Sequence, residues 1–193
     1  MEHIKAYQDV IRKIYFTYQD AICGLELINS RIQGFINEGM KANPRTVAVG
    51  GIEIRSVDVE NFTSENTWFL SRNNHEILAA NKINGDSYIT IGQMAICTLY
   101  NYWEDYYRER CAMALGYNKN DLKSKLFEDL GMLRNVITHN RGIATEKMKK
   151  MVNFKYFSKG DPIIINTQIF NEIVIALLEE LERIKDGIVA KQG

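Results

Sequence analysis

Four stretches of the chain carry apolar residues at every third or fourth position, and this periodicity constrains the fold more than any other feature of the sequence. It is the spacing at which one face of an α-helix is buried. The stretches cover about 4–38, 89–115, the residues after Asn118 or Asn120 as far as 139, and 167–189. Gly39, Gly116 and Gly142 follow the first three, as is typical of helix C-termini. The sequence therefore predicts a mainly all-α fold, an up-and-down four-helix bundle.

Residues 40–90 depart from this pattern. The stretch from Thr46 to Ile54 is rich in β-branched residues and contains two glycines, and Asn84-Gly85 is a dipeptide that turns hairpins. We expect an insertion of loops and short strands between the first two helices. Because 193 residues are too few for two large cores, the chain is predicted to form one domain, 1–193, that contains this insertion. A short strand-like piece, Ile163-Ile164-Ile165, precedes the last helix.

Composition limits the class of protein. With 46% hydrophobic and 25% charged residues the chain is expected to fold, and since its net charge is +0, any nucleic-acid contact must come from a local patch. Cys23, Cys97 and Cys111 lie far apart in apolar helical contexts, which favours buried reduced thiols over disulfides or zinc ligands. There is no signal-like leader and no run of about eighteen apolar residues. We expect a cytoplasmic protein that does not enter the membrane.

The stretch Leu133-Arg134-Asn135-Val136-Ile137-Thr138-His139-Asn140 ends the third predicted helix. An arginine, a polar residue, three variable positions and a histidine at the end of a bundle helix resemble the defining motif of the HEPN superfamily (higher eukaryotes and prokaryotes nucleotide-binding). The resemblance covers roughly residues 90–190, with support from the first helix. The resemblance does not extend to the insertion at 40–90.

This resemblance implies a HEPN-type helical bundle and a homodimer in which two copies of the motif meet. It implies a metal-independent endoribonuclease that needs no cofactor and takes RNA as its substrate. Some family members are toxins or act in antiphage defence, which implies an antitoxin or a defence-system partner. The expected products are a 2′,3′-cyclic phosphate and a 5′-hydroxyl.

The residue types of the motif suit this chemistry. Cleaving RNA without a metal requires a base, an acid and a cation, and histidine serves proton transfer because its ordinary pKa is near ~6.5. Arg134 can bind the phosphate through two donors, while Asn135 can orient the phosphate or the imidazole. On an ideal helix Arg134 and His139 point about 140° apart. A joint site therefore requires the helix to end at or before His139, or a second subunit.

Each candidate residue also has a structural interpretation. His139 is favoured electrostatically at a helix C-terminus, Arg134 suits a surface position beside the apolar stripe, and Asn135 and Asn140 suit local caps. Glu104 is expected to pair with Arg108 on its own helix or, alternatively, to support Arg134 from the neighbouring helix.

The segment that follows the motif, residues 147–159, combines five lysines with three aromatic residues. One interpretation is an RNA-binding surface in which the lysines attract phosphates and the aromatic rings stack on bases. The other is a solvated basic face whose aromatic rings pack inward. The lysines predicted to bind RNA are Lys147, Lys149, Lys150 and Lys155.

Two further functional hypotheses stay open at this point. One is a non-catalytic HEPN-type module that binds a nucleotide, an RNA or a protein, which the neutral net charge favours. The other is a helical bundle whose arginine and histidine match the motif by accident. Chelator-resistant cleavage of RNA separates the enzyme from both.

Overall fold

The computed structural model describes residues 1–42, 51–56 and 68–187, and it is mostly helical. The mainly all-α prediction is therefore confirmed. In chain order the elements are α1 (Glu2–Ala42), β1 (Gly51–Ser56), β2 (Trp68–Asn73), α2 (Asn74–Asn81), α3 (Asp86–Tyr102), α4 (Arg108–Ala114), α5 (Lys125–His139) and α6 (Thr167–Lys185). A π-helical turn, Trp103–Tyr107, joins α3 to α4, and 3₁₀ turns lie at Lys119–Asp121 and Glu146–Lys150.

The chain divides into two compact units. The first consists of Met1–Ile22 and Ile89–Gly193, and the second is Cys23–Tyr88. The second unit thus contains the predicted insertion and also the second half of α1. No helix in the described parts of the chain is long and apolar enough to cross a membrane.

The core of the first unit receives side chains from α1, α3, α5 and α6. The buried Tyr7 donates a hydrogen bond of 2.8 Å to the carbonyl of Leu99, and so joins α1 to α3. Trp103 stacks on Phe127 with 3.8 Å between ring centroids. Fully buried aliphatic residues complete this core: Ile4, Ile11, Ile96, Leu130, Leu133, Ile173, Leu177 and Leu181.

The second unit contains the strands and a short helix. β1 and β2 pair antiparallel, from Gly51 opposite Asn73 to Ser56 opposite Trp68, so short strands are present where the insertion was expected. Helix α2 was not predicted, because Asn73-Asn74 resembles a loop. Asn73 is in fact its N-cap and forms a capping box with Glu76. Residues 46–50 of the predicted β-rich stretch lie outside the described residues.

Two other interpretations of the sequence were wrong. Asn84-Gly85 does not turn a hairpin but links α2 to α3, and Asn84 takes a φ of +63°. A Cβ at Gly85 would lie 2.4 Å from the carbonyl oxygen of Ala80, so only glycine fits this tight connection. Residues 163–165 form no strand. Instead, a single bridge pairs Ile143 with Pro162 just before them.

Helix boundaries also differ from the predictions. α1 continues through Gly24 and past residue 38, and the second predicted helix is interrupted by the π-helical turn. α5 is capped by Ser124, whereas Asn118 caps the 3₁₀ turn before it. Asn118, one of the two capping residues predicted from the sequence, thus lies six residues before the true N-cap of α5. The last helix ends at Lys185 instead of near 189.

Candidate functional site

The motif lies in the last turns of α5, and the helix ends at His139, which is one of the two conditions expected for a joint site. Asn140 is the C-cap, and its backbone N–H and that of Gly142 both donate to the carbonyl of Val136, at 3.0 and 3.2 Å. Arg141 and Gly142 then take left-handed φ values of +53° and +68°, which turn the chain away. The imidazole is consequently presented at the open end of a helix.

Gly142 fixes the loop that leaves the motif. A Cβ at this position would lie 2.5 Å from Nε2 of Gln93, which itself donates to the carbonyl of Ile163 at 3.0 Å. The N–H of Ile163 returns a hydrogen bond of 2.7 Å to the carbonyl of Gly142. The residues just after His139 are therefore held to α3 and to the segment before α6.

Arg134 is half-buried and faces α3. Its Nη1 donates to Oδ1 of Asn135 at 3.1 Å, whereas its Nε is buried and has no hydrogen-bond partner within the described residues. Burial raises the pKa of Cys97 and of Tyr100, and the positive charge of Arg134 acts in the opposite direction on both. The guanidinium thus lies within electrostatic reach of these two α3 side chains and retains an unused donor.

Asn135 and His139 are exposed and, being four residues apart, share a face of α5. In the described part of the chain the His139 side chain has no hydrogen-bond or ion-pair partner, and the Arg134 guanidinium donates to Asn135 instead. The structure therefore brings Arg134 together with Asn135, and leaves His139 free for a substrate or another subunit.

Glu104 forms the ion pair with Arg108 that its spacing predicted, at 2.9 Å. Lys119 pairs with the other carboxylate oxygen, also at 2.9 Å. Although burial opposes it, the hydrogen bonds from Lys119 and Arg108 lower the pKa of Glu104. Both carboxylate oxygens thus bind these two cations. The alternative, a contact of Glu104 with Arg134, is not found among the described residues.

In the lysine segment, residues 147–159, the lysine side chains are exposed and several apolar side chains are buried. Lys147, Lys149, Lys150 and Lys155 are exposed, and Lys149 pairs with Glu146 at 2.5 Å. Phe154 is only 2% exposed, so base stacking on this ring is excluded in this conformation.

The other two aromatic residues of this segment, Tyr156 and Phe157, are half-buried. The Tyr156 hydroxyl donates to Glu172 at 2.7 Å, and burial together with that carboxylate raises the pKa of Tyr156 to about 12. The inward-packing interpretation thus describes Phe154 well. Among the described residues Lys147, Lys150 and Lys155 have no ion-pair partner, whereas Lys149 is paired with Glu146.

Asp129 was missed by the sequence analysis, although it determines where the lysine segment lies. Its carboxylate is 1% exposed, and Oδ2 accepts hydrogen bonds from the backbone N–H groups of Val152 and Asn153, at 2.9 and 2.6 Å. The Asn153 side chain adds a third, at 3.0 Å. The detectable signal was an acidic residue inside the apolar stripe of α5, between Leu126 and Leu133.

The cysteines are all free, but only Cys111 is buried; Cys97 is half-buried and Cys23 is exposed, contrary to expectation. No group of three or more metal-ligating side chains is found among the residues that the structure describes. Comparisons with family models, with curated proteins and with solved structures found no match.

Proposed function

We propose that this protein is a metal-independent endoribonuclease of the HEPN type. The observation that carries the proposal is the termination of α5 at His139. It leaves an exposed imidazole, with no partner among the described residues, at the end of the helix that also holds Arg134 and Asn135. Arg134 and His139 both lie within α5 and point about 140° apart, so a joint site requires a second copy of the motif.

Each residue then has a distinct task. His139 exchanges the proton of the attacking 2′-hydroxyl or of the leaving 5′-oxygen, and Arg134 stabilises the negative charge on the phosphorane. Asn135 already accepts a hydrogen bond from the guanidinium, and so holds it for the phosphate. The products are a 2′,3′-cyclic phosphate and a 5′-hydroxyl.

The active form in this proposal is a homodimer. Arg134 faces α3 while His139 lies at the exposed helix end, so a second copy of the motif is the source of the groups that one subunit does not bring together. We assign the first half of α1, together with α3, α5 and α6, to a HEPN-type four-helix bundle. The Cys23–Tyr88 unit is then an addition to this bundle. Lys147, Lys149, Lys150 and Lys155 supply phosphate attraction next to the motif.

A toxin or antiphage-defence effector of the cytoplasm, controlled by an antitoxin or another defence-system partner, is the biological role that we infer from the same resemblance. Such an effector remains silent until it is released or triggered. The enzyme proposal stands or falls independently of this role.

The decisive experiment compares the wild type with His139→Ala on structured and unstructured RNA in the presence of EDTA. We expect wild-type cleavage to cyclic-phosphate ends, reduced by about 10²-fold to 10⁴-fold in His139→Ala. His75→Ala is the matched control, because His75 is an exposed histidine on α2 outside the motif. Equal cleavage by the wild type and His139→Ala would overturn the proposal.

The neutral net charge favours a second candidate, a non-catalytic HEPN-type module that binds a nucleotide, an RNA or a protein. It predicts an increase in the melting temperature on adding ligand and no cleavage products. Loss of that increase in Arg134→Ala, without cleavage by the wild type, would select the module over the enzyme.

A further inference from the structure

Tyr100 packs directly against the backbone of α5, one turn before the motif. A Cβ at Gly131 would lie 2.8 Å from Cε2, 3.0 Å from Cζ and 3.1 Å from the hydroxyl oxygen of Tyr100. Gly131 is buried, and any side chain there would occupy the place of the phenol. The missing side chain at 131 therefore lets the Tyr100 hydroxyl approach α5 closely.

Helix geometry relates this hydroxyl to the motif. Arg134 and Asn135 follow Gly131 by three and four residues, so they share its face with Cβ separations of about 5–6 Å. Helical side chains lean toward the N-terminus, which is the direction of position 131. Arg134 and Asn135 thus lean over the spot where the Tyr100 hydroxyl lies.

The effect of the Arg134 charge on its neighbours also places the guanidinium close to Tyr100, independently of the helix geometry. The charge of Arg134 acts on Tyr100 and also on Cys97, three residues earlier on the same face of α3. The buried Nε of Arg134 has no acceptor in the described part of the chain. The Arg134 guanidinium, with its buried Nε donor, and the Tyr100 phenol therefore lie in the same region.

We propose that the Tyr100 hydroxyl is a further substrate-binding group of this site and donates a hydrogen bond to an oxygen of the RNA phosphate that Arg134 binds. This inference rests on the proposed ribonuclease function and deepens it. Because the phosphorane carries more negative charge than the ground-state phosphate, a neutral donor aimed at its oxygen stabilises the transition state more than the bound substrate.

The hydroxyl keeps its proton under working conditions. Burial and the negative charge of Glu104 raise the pKa of Tyr100, against the opposing effect of Arg108, Arg134 and Lys119. Tyr100 therefore remains a donor at neutral pH and does not compete with His139 for proton transfer.

Tyr100→Phe tests the proposal, because it keeps the ring that packs on Gly131 and removes only the hydroxyl. We expect kcat to fall about 100-fold with little change in KM and an unchanged melting temperature. Tyr102→Phe is the matched control, since Tyr102 lies two residues later on α3 and is exposed. It should cleave like the wild type.

A sulfur-substituted substrate distinguishes phosphate contact from a structural effect. Sulfur in place of a non-bridging oxygen at the cleaved phosphate accepts hydrogen bonds poorly, so it should slow the wild type and have a smaller effect on Tyr100→Phe. An equal sulfur effect in both proteins for each of the two non-bridging oxygens would overturn the proposal.

Two outcomes separate this inference from the function beneath it. If Tyr100→Phe cleaves like the wild type while His139→Ala is inactive, Tyr100 has no such role and the ribonuclease proposal stands. If the wild type shows no cleavage that depends on His139, both proposals are overturned.

Discussion

The polar side chains at the two ends of α5 differ in how many hydrogen-bond partners they have. At the start, Ser124 accepts from the backbone N–H of Phe127 at 3.3 Å and donates to the buried Glu180 at 2.6 Å. Asp129, one turn later, accepts three hydrogen bonds. At the end, Arg134 keeps a buried Nε without a partner, and His139 is exposed and unpaired among the described residues.

This contrast separates polar groups that stabilise the fold from those left for another task. A buried polar group with all its partners repays its desolvation, whereas a buried donor without an acceptor costs about 1–3 kcal/mol. Such an unsatisfied group requires an explanation, and a ligand that supplies the missing partner is one. The polar groups at the N-terminus of α5 therefore stabilise the fold, whereas those at its C-terminus form the candidate site.

The largest effect on stability is expected at Asp129. Asp129→Ala leaves three donors of residues 152 and 153 without their acceptor, and should lower the free energy of unfolding by about 3 kcal/mol, measured in urea. Glu128→Ala is the control, because Glu128 is exposed and, among the described residues, its side chain pairs with the exposed Lys125 alone. We expect a loss of less than about 0.5 kcal/mol. Equal losses in the two variants would remove the contrast between the ends of α5.

Gly142→Ala should have the next largest effect. It places a Cβ on a residue with a φ of +68° and within 2.5 Å of Gln93, so we expect a loss of about 2 kcal/mol in the free energy of unfolding. Gly116→Ala is matched to it, since Gly116 has a φ of +78° but no neighbouring atom within 4 Å. It should lose only about 1 kcal/mol.

The difference between these two glycine variants isolates the close approach of Gln93 from the backbone strain. If Gly142→Ala and Gly116→Ala lose the same free energy, the contact with Gln93 contributes nothing, and the loop after His139 is held by its backbone hydrogen bonds alone.

Much of this fold follows from helical periodicity. The apolar stripe predicted α5 and its end at His139, because Asn140, Arg141 and Gly142 all suit a helix terminus. Its start was misplaced, since Asn118 caps a separate 3₁₀ turn that sequence spacing cannot distinguish from the helix. Helix α2 is only eight residues long and has no clear apolar stripe, so it was not recognised.

The candidate site was only half predictable. Arg134, Asn135 and His139 are neighbours in sequence, and the motif identifies them directly. Tyr100 belongs to another helix, and the reason it reaches α5 is the missing side chain at Gly131. A glycine within a helical stripe signals a close approach but does not say which residue makes it. Contacts between helices had to come from the structure.

The smallest effect on stability, and the most informative, is expected at the motif itself. Arg134→Met keeps an unbranched side chain against α3 and removes the buried Nε, which has no partner among the described residues. The hydrogen bond it loses, to Asn135, is exposed, so the free energy of unfolding should stay within about 0.5 kcal/mol or rise. Arg108→Met is the matched control, because it removes the hydrogen bonds of Arg108 to Glu104 and to the carbonyl of Leu122, and should cost about 1–2 kcal/mol.

Urea unfolding of these two arginine variants, combined with RNA cleavage, tests the contrast between the ends of α5 directly. Arg134→Met should be at least as stable as Arg108→Met and yet lose cleavage, because in the proposed ribonuclease the charge of Arg134 stabilises the phosphorane and not the fold. A marked loss of stability in Arg134→Met would place Arg134 with Asp129, among the groups that hold the protein together. Asn135 and His139 would then be the polar groups of the motif that remain for RNA.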